Sequence, residues 1–185
     1  MLHDLQYRLL VITLLLGDVT ALAAAFGLAY YLRFQALPYF AEYSPRYYAT
    51  IVGLVIGAWL LIFAVFRLYD KQLLLGGTQE YGNVVNGCTA GMMLVVVAGF
   101  FRREQFTVSR GWLIMAWGLS ILFVGSTRFL LRRVVYRLRR RGYFLSPTLI
   151  VGANEEGLAL AEQLQGWATS GLRLLGFVDD GKAPG

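Results

Sequence analysis

Four long apolar segments dominate the pattern of hydrophobic and polar positions along the chain. They run over residues 9–32, 48–66, 84–101 and 112–131. The charged residues inside them are Asp18 in the first segment and Arg128 near the end of the fourth. The hydrocarbon core of a bilayer requires about 20 apolar residues per helix. The pattern therefore predicts four transmembrane helices.

After residue 145 the long apolar segments give way to an alternation of strand, glycine turn, helix and strand. Residues 148–151 are a short buried-strand run, residues 152–157 form a turn into a helix, and residues 174–178 are a second strand. This order predicts one βαβ unit, the first of a Rossmann-like α/β domain. Because a parallel sheet needs both its faces covered, one unit is an incomplete domain.

The predicted fold class is thus an α-helical membrane protein, in which four transmembrane helices are followed by an incomplete Rossmann-like unit. We divide the chain into residues 1–144, a four-helix region with a basic cytosolic extension, and residues 145–185, the βαβ unit. We expect a further domain to follow Gly185.

A run of arginines after the fourth segment sets the predicted orientation. Together with Arg128 it comprises Arg132, Arg133, Arg137, Arg139, Arg140 and Arg141. Positive residues mark the cytoplasmic side of a membrane, so both termini of this four-span chain are expected in the cytoplasm. Arg102, Arg103 and Arg110, after the third segment, oppose this orientation but form the smaller cluster.

The same run has two interpretations as a binding surface. Arg132 and Arg133 anchor the chain to anionic membrane lipids, or their guanidinium groups hold a lipid-linked phosphate. The anchor is the simpler interpretation. Nucleic acid is not an expected partner, because the basic run adjoins a span and topology accounts for the net charge of +6.

Asp18 lies inside the first apolar segment, where an acid is costly unless it is paired or neutralised. Beside it runs a row of small residues at fourfold spacing: Gly17, Ala21, Ala25 and Ala29. Such a row suits close helix packing, so we expect Asp18 to face protein. Its candidate partners are Asn86, Ser126, Thr127 and Arg128. A structural role is the simpler interpretation of Asp18, and a proton-coupled transport site is the alternative.

Small residues also recur every four positions in the second and third segments. The rows are Ala49, Gly53 and Gly57 in the second, and Gly87 and Gly91 in the third. This spacing indicates close helix contact. Contact within one chain is the default expectation, and a homo-oligomer is the alternative.

The amino-acid composition excludes several classes of protein and of functional site. Apolar residues make up 57% of the chain and charged residues 15%, whereas soluble domains have about 45–50% and about 25%. Disorder over most of the chain is excluded. Since His3 and Cys88 are the only histidine and the only cysteine, there are too few ligands for a structural zinc site and no disulfide framework. A catalytic triad would depend on His3, beside the N-terminus, and is disfavoured.

The glycine-rich turn is a candidate nucleotide site. Gly152 and Gly157 occupy the first and last positions of a dinucleotide fingerprint, while Asn154 replaces its middle glycine. Asp179, at the end of the second strand, stands where an acid would bind a ribose. These four residues are the predicted cofactor-binding residues, and a purely structural turn is the alternative. No catalytic residue and no metal ligand is predicted.

Several of these features occur in an order that resembles the N-terminal region of bacterial polyprenyl-phosphate hexose-1-phosphate transferases. They are Asp18, Leu32-Arg33-Phe34, Leu68-Tyr69, Ser109-Arg110 and Arg128 with its basic run. The most specific signal pairs residues 148–157, TLIVGANEEG, with residues 175–180, LGFVDD. The resemblance covers nearly all of the chain, and Asn154 is its clearest departure.

The resemblance implies a multi-pass anchor and scaffold in the bacterial cytoplasmic (inner) membrane, ahead of a separate catalytic domain. In that family the catalytic domain transfers a sugar phosphate from a nucleotide sugar to undecaprenyl phosphate, which initiates exopolysaccharide or O-antigen synthesis. Its Asp-Glu nucleophile pair, basic phosphate ligands and magnesium site have no counterpart in these residues. We therefore expect no cofactor in this chain, magnesium only with that domain, and polyprenyl phosphate as a candidate ligand.

Two other interpretations stay open. The same layout is similar to that of membrane-anchored, NAD-dependent nucleotide-sugar dehydratases and epimerases, although Ser109-Arg110 favours the transferase. A small four-helix proton-coupled transporter that uses Asp18 is the third interpretation. The chain is part of an enzyme under the transferase and dehydratase interpretations, but not under the transporter interpretation.

Overall fold

The computed structural model describes residues 2–36, 45–70, 78–101, 108–166 and 171–179. Its elements in chain order are α1 (Leu2–Tyr31), a π-helical turn (Leu32–Ala36), α2 (Pro45–Val65), α3 (Thr78–Phe101), α4 (Arg110–Arg139), β1 (Ser146–Val151), α5 (Glu155–Gly166) and β2 (Leu172–Val178). Arg102 and Arg103, which oppose the predicted orientation, lie outside the described residues, as does Asp180, which ends the segment LGFVDD.

All four predicted spans are helices, which confirms the predicted fold class. The segments long and apolar enough to cross a membrane are Gln6–Ala36, Pro45–Val65, Thr78–Phe101 and Arg110–Arg139. Several of these helices extend beyond the apolar segments into their polar flanks: α1 begins at Leu2, α3 begins at Thr78 and α4 ends at Arg139. For α3 this matters, since its first turn contains Glu80.

The chain divides into two compact units. The bundle unit is Leu9–Leu130, and the terminal unit is Met1–Arg8 together with Leu131–Gly185. The division at residue 144 rests on the change in sequence character and stays a prediction.

In the bundle unit, α1 buries the row of small residues that its spacing predicts. Ala21, Ala25 and Ala29 are 6%, 0% and 0% exposed, and Asp18 is fully buried with them. Small side chains let helix backbones approach closely, which is a main source of packing energy between helices in lipid. Asp18 therefore faces protein, as predicted.

Helices α2 and α3 pack through aromatic rings set against glycines. Trp59 and Phe63 of α2 are both 0% exposed. A Cβ added to Gly91 would lie 2.5 Å from the Trp59 ring, and one added to Gly87 would lie 2.9 Å from the Phe63 ring. The two glycines make room for the two rings, so this row packs within the chain, as predicted.

The row of small residues on α2 differs from the prediction. Ala49, Gly53 and Gly57 are exposed, and a Cβ added to either glycine would meet no atom within 4 Å. Helix α2 buries a different face because Trp59 and Phe63 lie there, and large rings supply much more contact area than small side chains.

The terminal unit contains the predicted βαβ unit. Strands β1 and β2 pair in parallel, from Ser146 opposite Leu172 to Val151 opposite Val178, and α5 is the crossover helix. In the two strands Ile150 is the buried residue. The carboxyl ends of both strands meet at one edge, where the glycine turn and Asp179 lie.

Candidate functional site

Asp18 of α1 and Arg128 of α4 form a buried ion pair in the bundle unit. Arg128 Nη2 lies 2.6 Å from Asp18 Oδ2, and both side chains are 0% exposed. Of the four predicted partners of Asp18, Arg128 makes this contact, whereas Asn86 and Ser126 are exposed. A buried charge is stable only when it is paired and hydrogen-bonded, so the two spans are held together at this point.

Two further elements reach the same pair. Arg128 Nη1 donates to the Leu68 carbonyl oxygen at 2.8 Å and lies 3.4 Å from Glu80 Oε1. The Tyr69 hydroxyl donates to Asp18 Oδ2 at 2.9 Å. The cluster of Asp18, Tyr69, Glu80 and Arg128, here called the arginine cluster, therefore joins α1, the turn after α2, the first turn of α3, and α4.

The arginine cluster contains more negative than positive groups and is not fully hydrogen-bonded. Two carboxylates face one guanidinium, and within the described residues Asp18 Oδ1 and Arg128 Nε have no hydrogen-bond partner. Burial, followed by the charge and hydrogen bond of Asp18, raises the pKa of Tyr69 above its ordinary value of 10.0. The phenol thus remains protonated and remains a donor to Asp18.

Glu80 is not among the predicted site residues, and the contact between Tyr69 and Asp18 was not predicted. Glu80 and Tyr69 lie in polar flanks outside the apolar segments, where charged and hydroxylated side chains are common and do not indicate a buried site. The available signal was indirect: a buried acid and a buried arginine need their remaining hydrogen-bonding atoms satisfied, and the flanks of neighbouring spans are the nearest source.

Ser109, from the motif that carries part of the resemblance, lies at the start of α4 and is 7% exposed. Its backbone N–H donates to the Tyr48 hydroxyl at 3.2 Å, and its Oγ accepts a hydrogen bond of 3.1 Å from Arg33 Nε. Ser109 therefore connects the start of α4 with α2 and with the π-helical turn. This contact gives the motif a structural role in this chain.

The arginines after Arg128 do not form one uniform surface. Arg133 and Arg137 are exposed, whereas Arg132 is half-buried. Arg139 packs within the terminal unit, since a Cβ added to Gly171 would come within 2.6 Å of its guanidinium carbon.

The four predicted cofactor-binding residues come together at the carboxyl edge of the sheet. Gly152 has φ +100° and Gly157 packs so tightly that an added Cβ would overlap the Gly152 carbonyl oxygen. Asn154 Oδ1 accepts a hydrogen bond of 2.9 Å from the Gly157 backbone N–H, and Asp179 Oδ2 accepts one of 2.9 Å from the Ala153 N–H. The glycine spacing is that of a nucleotide-binding turn, but two backbone N–H groups of this turn donate to side chains of the chain itself.

Within the described residues, no group of three or more His, Cys, Asp or Glu side chains is placed to hold a metal ion. Residues 64–185, more than half of the chain, match the family model of a CoA-binding domain, a family found in sugar-transferase-like proteins. No curated protein and no solved structure matches the chain.

Proposed function

The chain belongs to the CoA-binding domain family, and we propose that it is the membrane-anchoring scaffold of an undecaprenyl-phosphate sugar-1-phosphate transferase. In this proposal the catalytic step, which initiates exopolysaccharide or O-antigen synthesis, is carried out by a separate domain. The observation that carries the proposal is the extent of the family match. It begins at the end of α2 and includes α3, α4 and the βαβ unit, so the family model covers two spans together with the sheet. The family is found in sugar-transferase-like proteins, which supports the proposal.

The bundle unit supports a scaffold rather than a transport pathway. A transport site needs an acid that can exchange its partner, and such acids line water-filled cavities. Asp18 is 0% exposed and is held by Arg128 at 2.6 Å and by Tyr69 at 2.9 Å. These contacts support a structural role for Asp18, in which it joins α1 and α4 to the end of α2 and the start of α3.

The exposed arginines of α4 are proposed to face the cytoplasmic leaflet of the bacterial inner membrane, with both termini on that side. Their proposed partners are anionic membrane lipids, including polyprenyl phosphate, because guanidinium groups match phosphate oxygens. Self-association stays an alternative. Each exposed arginine near a membrane surface contributes about 1 kcal/mol of lipid binding.

This lipid contact can be tested by native mass spectrometry of the purified chain. Arg133→Gln with Arg137→Gln is expected to reduce the anionic lipid that remains bound, by about fivefold per residue. Arg173→Gln, which removes an exposed arginine from β2 rather than from a span, is the matched control and leaves retention unchanged. Equal retention in all three proteins would contradict the lipid contact.

The proposed function is tested on the native product, captured from its own membranes with an antibody against residues 132–143. We expect the captured material to transfer labelled sugar phosphate from a nucleotide sugar to undecaprenyl phosphate, and the 185-residue chain to have no such activity. A strain that lacks the gene is the control.

Two outcomes of this assay would replace the proposal. Tight retention of NAD, with conversion of the nucleotide sugar and no lipid product, would indicate the dehydratase alternative. Sugar-phosphate transfer by the 185-residue chain itself would contradict its role as a scaffold.

A further inference from the structure

We propose that the turn between β1 and α5 is closed by the chain's own Asn154 and Asp179 and does not bind the pyrophosphate of CoA. The family description implies CoA as a ligand, and the glycine spacing alone is compatible with a nucleotide. The hydrogen bonds within the turn, however, are incompatible with a bound nucleotide phosphate. The inference is independent of the proposed transferase role, because it concerns only the fit between this turn and a phosphate.

A phosphate binds at a helix N-terminus because the backbone N–H groups there lack partners and point towards it. In this turn two such donors are already engaged. The Gly157 N–H donates to Asn154 Oδ1 and the Ala153 N–H donates to Asp179 Oδ2, both at 2.9 Å. Asn154 acts as the N-cap of α5, a role that satisfies a donor which would otherwise be available to the ligand.

The charges around the turn also oppose a phosphate. The carboxylate of Asp179 already holds a position on a backbone N–H that a phosphate oxygen would take. Glu155 and Glu156 form the first turn of α5, and residues 152–157 contain no lysine or arginine. Acids at a helix N-terminus complement the helix dipole and take the place of an external anion.

The glycines of the turn let two segments of this chain's own backbone approach each other closely. In a dinucleotide site the middle glycine lets the backbone reach the pyrophosphate, but here that position is Asn154. Gly157 instead packs against the Gly152 carbonyl, where an added Cβ would overlap it. Each residue of the apparent fingerprint thus has a partner in the chain, and that partner accounts for its presence.

The test is hydrogen–deuterium exchange of the full chain in detergent micelles, with and without CoA, followed at the amides of residues 152–158. We expect CoA to leave this exchange unchanged. Asn154→Ala should accelerate exchange at Gly157, and Asp179→Ala should accelerate it at Ala153, each by about fivefold, because each truncation removes the oxygen that accepts the hydrogen bond. Glu162→Gln, on the exposed face of α5, removes one acid without touching the turn and should change neither amide.

Each result decides the proposal. Slower exchange of the 152–158 amides on addition of CoA would overturn it, since the ligand would then cover the turn. Unchanged exchange in both Asn154→Ala and Asp179→Ala would also overturn it, because the two side chains would not be closing the turn. Protection by CoA confined to other segments would support it.

Discussion

Replacing Arg128 by methionine is expected to lower the free energy of unfolding of the bundle by about 3–5 kcal/mol, the cost of removing one partner of a buried ion pair. Methionine cannot replace the contacts to Asp18 Oδ2 at 2.6 Å and to the Leu68 carbonyl at 2.8 Å. The contact to Glu80 at 3.4 Å is long for a charged hydrogen bond and contributes least. Most of the loss therefore comes from Asp18, whose side chain is 0% exposed.

The assay is reversible unfolding in mixed micelles, followed by tryptophan fluorescence, because Trp59 and Trp112 are buried in the bundle. The matched control is Arg137→Met, the same substitution at an exposed position of α4. Surface substitutions usually change stability by less than about 0.5 kcal/mol, so the two variants should separate clearly.

A double-mutant cycle with Asp18→Asn isolates the pair itself. Asparagine carries no charge to be left without a counter-ion, so Arg128→Met should cost less in that background, with a coupling energy of about 2–3 kcal/mol. Additive losses, or an Arg128→Met variant as stable as Arg137→Met, would refute the argument that the arginine cluster holds the bundle together. The Asp18→Asn protein should also accumulate less in membranes. Normal accumulation with loss of solute transport would favour the transporter.

Two further predictions concern glycines. Gly91→Ala should destabilise the bundle by about 1–3 kcal/mol, because the added methyl group overpacks against Trp59. The control is Gly57→Ala, whose added Cβ meets no described atom within 4 Å; it should leave the stability of the bundle unchanged or raise it by up to about 1 kcal/mol. Equal effects of the two substitutions on the unfolding curve would contradict this packing. Gly157→Ala, whose Cβ would overlap the Gly152 carbonyl oxygen, should make the βαβ unit more sensitive to limited proteolysis without altering bundle unfolding.

The spans and the buried pair could be predicted because a bilayer imposes strict requirements on sequence. A helix that crosses it must be apolar over its length, so Asp18 and Arg128 stood out as charges that required partners. The βαβ unit was predictable for a similar reason, since the change from long apolar runs to strand, glycine turn and helix has few structural interpretations.

The remaining features depend on tertiary contacts that local patterns do not contain. Spacing shows that small residues lie in a row, but not which helix the row meets. For this reason Gly87 and Gly91 were assigned correctly while the α2 row was not. Glu80 joins the arginine cluster from a polar flank, where nothing in the sequence distinguishes it from a solvated acid. The closure of the turn by Asn154 likewise depends on which way its amide points.

The seating of Trp59 and Phe63 against Gly91 and Gly87 also fixes the register of α2 along α3. If α2 moved by one helical turn, Phe63 would meet the gap at Gly91, but Trp59 would meet Val95, which leaves no such gap. The two rings therefore prevent α2 from sliding along α3. Because the turn that supplies Leu68 and Tyr69 follows directly on α2, sliding of that helix would pull the arginine cluster apart, and the bundle would resist it at two levels at once.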